Sequence, residues 1–295
     1  MEIKILRQKS NKLPIINSIF VKWDGYNEDL YNHLMRFDGA IYDKKSSSIE
    51  ISDIWLEDVE KVCGKYGSTS VINKIEKPKQ SYNKIPKNYK FKIPPYKHQR
   101  DGIEYGLNHN KWLLLDDQGL GKTSQIIGLV DILKIKHCLI ICGVNSLKYN
   151  WVEEIKKFSN LSYNVLDEGI SKSGKTTKLS TSDSITKLKS NIPETFVITN
   201  REKLTDKNFL KSFNSSKTKF DMIVVDECHK FKNPSSKSGK TFLKLHATYM
   251  IALSGTMIMN SPEDSYVPLK WIEQIGSNFS QFKSYYNIYG GFANK

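Results

Sequence analysis

The stretch Trp112-Leu-Leu-Leu-Asp-Asp-Gln-Gly-Leu-Gly-Lys-Thr-Ser124 decides how the rest of the chain is read. Its first four residues are apolar and predict a buried strand. At Asp116 the run breaks into a turn holding Gly119 and Gly121. Beyond the turn, Ile126, Val130 and Leu133 are spaced for one buried helix face. Strand, glycine turn, Lys-Thr and helix together predict a phosphate-binding loop. Glycines let backbone N–H groups close around phosphate oxygens, and the helix start adds partial positive charge. In that geometry Lys122 reaches the β- and γ-phosphates of a nucleotide, and the Thr123 hydroxyl ligates Mg2+. The strict pattern G-x-x-x-x-G-K-[ST] has Gly where Asp116 stands, but Gly119 and Gly121 still free the turn. Two more Gly-Lys-Thr tripeptides, at Gly174 and Gly239, follow polar residues instead of a strand and are read as chance matches.

Working outward, apolar runs recur at Trp112–Leu115, His137–Cys142, Phe196–Thr199, Met222–Val225 and Met250–Leu253, with a weaker one near Tyr163–Leu166. Helical patterns lie between most of them, for example Leu147, Trp151, Ile155 and Phe158. This alternation predicts an α/β fold with a doubly wound, mostly parallel sheet. Ligands of such sheets sit at the carboxyl ends of the strands, where the Gly119–Lys122 turn lies. The run Met222-Ile-Val-Val225 ends in Asp226-Glu-Cys-His229. Asp226 is the candidate partner for Mg2+, and Glu227 the candidate to orient and deprotonate an attacking water. The bland alternative is a solvated Asp-Glu pair closing a strand. Ile251-Ala-Leu-Ser-Gly-Thr256 is a third strand entering a small-residue turn. Its Ser254 and Thr256 hydroxyls are candidates to bond the catalytic carboxylates or a water at the γ-phosphate, although Ser-Gly-Thr is also an ordinary turn.

Composition places limits on function. Of 295 residues, 39% are hydrophobic and 26% charged, as in ordinary globular proteins. No apolar run approaches the roughly 20 residues of a membrane span, and no signal-type apolar region follows Met1. A cytoplasmic or nuclear location is expected. The net charge of +14 points to a polyanionic partner, nucleic acid first, with a solvated Lys-rich surface as the alternative. Arginine occurs only at Arg7, Arg36, Arg100 and Arg201. Charge carried by lysine suits phosphate contact better than base reading. Cys63, Cys138, Cys142 and Cys228 form no C-x-x-C pair, so a zinc site is not expected.

Residues 1–70 read as a separate small α+β domain. It has a helix near Asn27–Arg36, two strands at Ala40–Tyr42 and Ser48–Ile51, and a helix at Trp55–Tyr66 stopped by Gly67. Trp23, Tyr26, Tyr31 and Tyr42 are either core or a surface on which bases stack. Residues 71–93, rich in Lys with Pro78 and Pro86, read as a linker, and residues 94–295 as the nucleotide-binding lobe.

These motifs resemble, in order, those of superfamily 2 helicases. They are Pro95-Tyr-Lys-His-Gln99, Asp117-Gln-Gly-Leu-Gly-Lys-Thr123, Asp226-Glu-Cys-His229 and Ser254-Gly-Thr256. Gly119-Leu-Gly-Lys-Thr123 and the continuation His229-Lys-Phe-Lys-Asn-Pro-Ser-Ser-Lys237 are similar to the Swi/Snf-type branch. Leu147-x-x-x-Trp151-x-x-Glu154 resembles its motif Ia, and Asn260 an Asn that follows motif III. The resemblance implies the first RecA-like lobe of a DNA translocase or helicase using ATP and Mg2+ on double-stranded or branched DNA. It also implies that Gln99 reads adenine, that Gly119, Leu120, Gly121, Lys122 and Thr123 hold phosphates, and that Thr123 and Asp226 serve the metal. His229, Ser254, Gly255 and Thr256 couple nucleotide state to the grip on DNA. Cys228, Met257 and Asn200-Arg201 depart from the usual pattern without removing a ligand. The N-terminal domain resembles the substrate-recognition module preceding some annealing helicases, and the Lys/Asn/Ile-rich composition fits an A/T-rich phage or bacterial genome. The family's second lobe, which supplies transition-state arginines, is not expected within these residues. An RNA helicase lobe of the DEAD/DEAH kind and a non-enzymatic module with a relic nucleotide site are the competing readings.

Overall fold

The computed structural model describes residues 1–9, 17–37, 40–52, 55–73, 83–170 and 175–286. They fall into two compact units, one of Met1–Gln80 with Gln274–Lys295 and one of Ser81–Glu273.

The first unit runs β1 (Glu2–Lys9), β2 (Asn17–Trp23), α1 (Glu28–Leu34), β3 (Ile41–Asp43), β4 (Ser48–Ser52), α2 (Leu56–Gly64) and β5 (Ser68–Asn73). The strands form a sheet of order β3-β4-β2-β1-β5, with β5 parallel to β1 and the other pairs antiparallel. Alternation along β1 sends Ile3 and Ile5 into a core with Ile19, Val21, Ile49 and Ile51, under Leu30 and Leu34 of α1 and Val59 and Cys63 of α2. Asn27 caps α1, its Oδ1 accepting the Leu30 N–H at 2.8 Å. Among the aromatics, Trp23 and Tyr31 pack on this core, while Tyr26 is 80% exposed.

The second unit contains α3 (Lys97–Gly106), β6 (Lys111–Leu114), α4 (Lys122–Ile132), β7 (Cys138–Cys142), α5 (Leu147–Phe158) and β8 (Tyr163–Val165). A small hairpin of β9 (Glu168–Ile170) and β10 (Thr176–Lys178) follows, then α6 (Thr181–Lys189), β11 (Phe196–Asn200) and α7 (Phe209–Asn214). The unit closes with β12 (Met222–Asp226), α8 (Lys237–Phe242), β13 (Tyr249–Leu253) and α9 (Tyr266–Trp271). Its sheet has the order β6-β13-β12-β7-β11-β8, parallel throughout. β7, β11 and β12 are buried at every position, as a parallel sheet covered on both faces requires. Cys138, Ile140 and Cys142 share a core with Ile126 and Val130 of α4 and Trp151 and Ile155 of α5. Leu139 and Ile141, also fully buried, point the other way. One further helix, α10 (Phe279–Tyr286), belongs to the first unit.

The structure departs from the sequence expectations at the domain boundaries. Residues 83–93, assigned above to a linker, are part of the second unit. Ile85 is buried, the Tyr89 hydroxyl donates to Asp131 Oδ2 at 2.5 Å, and Lys92 Nζ donates to the carbonyls of Lys156 and Ser159 at 2.6 and 3.1 Å. Ile85 and the Tyr89 hydroxyl anchor the segment among its lysines, and Lys92 caps the end of α5. Residues 74–82 lie outside the described part. At the other end, the stretch from Gln274 groups with the first unit and not with the lobe. The strand predicted at Trp112–Leu115 stops at Leu114, and Leu115 is 45% exposed. Of the two stray tripeptides, Gly174 is outside the described residues, and Gly239 sits in the short α8 behind no strand.

A candidate nucleotide-binding site

The turn after β6 is built on two left-handed residues. Gly119 has φ +81° and Gly121 φ +75°, a region costly for any residue with a Cβ. At Gly121 a Cβ would also lie 2.3 Å from Gln99 Nε2 and 2.9 Å from Ser124 Oγ, so a side chain there would displace both groups. Lys122 opens α4 and folds back across the turn, donating to the carbonyls of Asp116 at 2.7 Å and Asp117 at 3.0 Å. Asp116, the departure from the strict motif, has its own task. Its Oδ2 accepts from Gln125 Nε2 at 2.7 Å, tying the end of β6 to the first turn of α4.

Gln99 is seated on the same loop. Its Nε2 donates to the Leu120 carbonyl at 3.1 Å and its Oε1 accepts the Tyr96 N–H at 3.0 Å. His98 Nε2 lies 3.1 Å from the same Leu120 oxygen. Both ends of the Gln99 amide are thus engaged within the chain, beside a narrow recess walled by Phe91, Ile93 and Pro95.

β12 delivers Asp226 and Glu227 to the same end of the sheet. Asp226 is 9% exposed, and its two oxygens have separate donors. Trp151 Nε1 donates to Oδ2 at 2.9 Å and the Glu227 N–H to Oδ1 at 2.9 Å. Burial raises the Asp226 carboxyl above its ordinary value; the Trp151 N–H opposes this, the Glu227 charge adds to it, and Lys122 opposes it. Glu227 is left-handed, with φ 51° and ψ 51°, which swings its side chain out of the strand direction. Its Oε2 is buried and lies 3.1 Å from His229 Nδ1 without forming an aligned hydrogen bond. His229 Nδ1 is also 3.0 Å from Ser254 Oγ, which accepts the Thr256 N–H at 3.1 Å. The Ser254 N–H donates to the Leu114 carbonyl at 3.2 Å, and a Cβ on Gly255 would come within 3.1 Å of Gln118 Cγ. The Ser254–Thr256 turn therefore touches the phosphate loop on one side and, through His229, Glu227 on the other.

Gln118, Gly119, Gly121, Lys122, Thr123, Asp226 and Glu227 line one cleft of about 420 Å³, whose remaining wall is α5 through Leu147, Asn150, Glu153 and Glu154. Among the described residues no group of three His, Cys, Asp or Glu side chains could enclose a metal. One buried carboxylate, one hydroxyl at a helix start and an ammonium group fit Mg2+ carried in on phosphates, because that ion keeps waters and takes only one or two protein oxygens.

Sequence reasoning brought Lys122, Thr123, Asp226, Glu227, His229 and Ser254 to this place and missed others. The helical spacing and the motif Ia resemblance place Trp151 on a buried face but assign it no partner, although a buried indole N–H demands an acceptor. Gly143 was not singled out. A Cβ there would meet the Glu227 carbonyl at 2.6 Å and the Asp226 carbonyl at 2.9 Å, and its N–H donates to the Asp226 carbonyl at 2.8 Å. A glycine directly after a buried strand was the available signal for such a close approach. Asp264 was also missed. Its Oδ2 gathers the N–H groups of Met259 and Asn260 at 3.1 and 3.0 Å, and Lys232 Nζ lies 3.1 Å from its Oδ1, which pins the loop after Thr256.

The chain is 31% identical over 179 residues to mouse DNA excision repair protein ERCC-6-like, covering 57% of this chain and 14% of the relative. It is 28% identical over 218 residues to bovine DNA annealing helicase and endonuclease ZRANB3, covering 70% of this chain and 18% of that protein. An uncharacterized ATP-dependent helicase of Mycoplasma pneumoniae is 27% identical over 256 residues, 79% of this chain and 22% of the relative. The chain thus spans about a seventh to a fifth of the length of these relatives. Among solved structures, the Sulfolobus solfataricus SWI2/SNF2 ATPase core in complex with dsDNA superposes with a TM-score of 0.52 at 26% identity, over 68% of this chain and 41% of that one. Residues 98–289 match the SNF2-related domain, and the chain belongs to that family.

Proposed function

We propose that Ser81–Glu273 is the ATP-binding lobe of an ATP-dependent DNA translocase or helicase. The observation that carries this reading is the convergence of Lys122, Thr123, Asp226 and Glu227 on one cleft at the carboxyl ends of β6 and β12. Lys122, released from the Asp116 and Asp117 carbonyls, turns to the β- and γ-phosphates, while the loop N–H groups cradle them. Thr123 and Asp226 are the residues that hold Mg2+, which supplies charge neutralisation at the phosphoryl oxygens when bound. Glu227 orients the attacking water and takes its proton, with His229 beside it to sense the change. Ser254 joins His229 to the turn that touches Gln118, so a change at the phosphates reaches the loop after β13. Gln99 exchanges its bond to Leu120 for the adenine edge.

DNA is the proposed partner. The +14 charge, the double-stranded DNA in the related Sulfolobus structure and the DNA-acting relatives support it. The first unit is proposed as a substrate-recognition module, and branched DNA as one of its ligands. Hydrolysis at a motor rate requires a second, similar lobe across the cleft to supply cationic stabilisation of the transition state. The test is steady-state phosphate release by the chain joined to, or mixed with, such a lobe. Double-stranded DNA should stimulate it and RNA should not, and Glu227→Gln should abolish turnover while sparing ATP binding. Equal stimulation by RNA would favour the RNA helicase reading.

A further inference from the structure

Trp151 stands in the middle of α5, 1% exposed, with a single polar atom and a single acceptor for it: Asp226 Oδ2 at 2.9 Å. The opposite oxygen, Oδ1, is held by the Glu227 N–H at 2.9 Å. One fixed donor on each oxygen sets the plane of the carboxylate and leaves its remaining lone pairs to the cleft. The helix that carries the indole is itself anchored. Lys148, three residues earlier, forms an ion pair with Asp167 in which both residues are buried, 2% and 4% exposed. Ile155, four residues later, is fully buried in the main core. Asn145, just before the helix, accepts from Asn200 Nδ2 at the end of β11 at 2.6 Å. The same helix lines the cleft through Leu147, Asn150 and Glu154. Hydrophobic burial alone would be met by Phe or Leu at 151; the indole adds an N–H aimed at the one carboxylate expected to meet a metal.

We propose that Trp151 is a positioning residue for Asp226, fixing the orientation in which that carboxylate receives Mg2+ accompanying a nucleotide. This rests on reading the cleft as a Mg·ATP site. Partners that orient a metal-binding side chain typically contribute roughly ten- to a hundredfold to metal affinity.

The measurement is ATP affinity by calorimetry, with Mg2+ and with EDTA, for the 295-residue chain and its variants. Trp151→Phe should lose about tenfold of the gain in affinity that Mg2+ provides, with metal-free ATP binding unchanged. In an Asp226→Asn background, Trp151→Phe should change the Mg2+ gain no further, since the contact it removes no longer ends on a carboxylate. A full Mg2+ gain in Trp151→Phe, or an undiminished effect in the Asp226→Asn background, would overturn the proposal. Should the Phe variant fail to fold, the indole N–H resonances of the five tryptophans in 15N-labelled protein give the second readout. One of them should move on Asp226→Asn and again on adding Mg·ATP, and five unmoved resonances would overturn the proposal. Failure of the underlying reading looks different. If the unaltered chain binds ATP without any Mg2+ dependence, or binds it equally after Lys122→Ala, the cleft assignment falls and this proposal with it.

Discussion

Glu227 carries the local cost of this site. A non-glycine residue at φ 51° is strained by about 1 kcal/mol or more, and here it also sets a second carboxylate beside buried Asp226. Glu227→Gly should therefore hold or raise the melting temperature while removing turnover from the completed motor, and thermal denaturation that fell by several degrees would contradict the strain argument. His229 makes a second prediction. Burial, then the charges of Lys230 and Lys232, lower its imidazole below the ordinary 6.5. Between 6.5 and that lowered value the unfolded chain binds more protons than the folded one, so stability should fall as pH drops through the window. Urea denaturation at several pH values between neutrality and about pH 5 should show this fall, and His229→Gln should flatten it; an unchanged slope would remove His229 as its source. At this scale the motif residues were legible, because Lys122, Thr123, Asp226 and Glu227 sit in short contiguous patterns at strand ends. Their supports were not. Trp151 and Asp226 are separated by 75 positions, and nothing in either local pattern names the other.

α3 and α4 cross with glycines at the contact, and that crossing positions the phosphate loop. A Cβ on Gly102 would fall 1.9 Å from Gln125 Oε1, one on Gly106 2.6 Å from Leu129 Cδ2, and one on Gly128 3.1 Å from Ile103 Cδ1. Helix propensity alone says Gly102→Ala should gain up to about 1 kcal/mol. Packing says otherwise, since overfilling a tight contact typically costs about 1–3 kcal/mol and the displaced group is Gln125, the partner of Asp116. Gly102→Ala should lower stability by denaturant titration and weaken ATP binding without touching the cleft; a more stable variant with unchanged affinity would show that Gln125 moves aside freely. The parallel sheet of the lobe was legible because every central strand is a continuous apolar run. β1, β2 and β5 were not, since none holds an apolar run longer than three residues, and β1 pairs with β5 across more than 60 residues. α4 was read as amphipathic, yet all of Gln125–Val130 is buried, because the helix lies between α3, α5 and the sheet core.

For the whole molecule, lysine supplies most of the 45 basic residues against 31 acidic ones, and binding to a polyanion releases its counterions. Affinity for double-stranded DNA should fall steeply and linearly in log–log against salt, with little dependence on base sequence; a flat salt response would assign the charge to a solvated surface instead. Neither Arg100 nor Arg201 lines the cleft, and Arg201 Nη1 is used on the Lys230 carbonyl at 3.2 Å. ATP hydrolysis by residues 1–295 alone should accordingly stay near background and respond little to DNA. Binding does not share that requirement, because the phosphate loop, Thr123 and Asp226 all belong to this lobe. Calorimetry of Mg·ATP binding to the 295-residue chain and to Lys122→Ala is the most direct test of that claim. The unaltered chain should bind Mg·ATP, and Lys122→Ala should bind it far more weakly while adenosine affinity stays the same; equal Mg·ATP binding by the two would contradict the assignment of the loop that organises the fold.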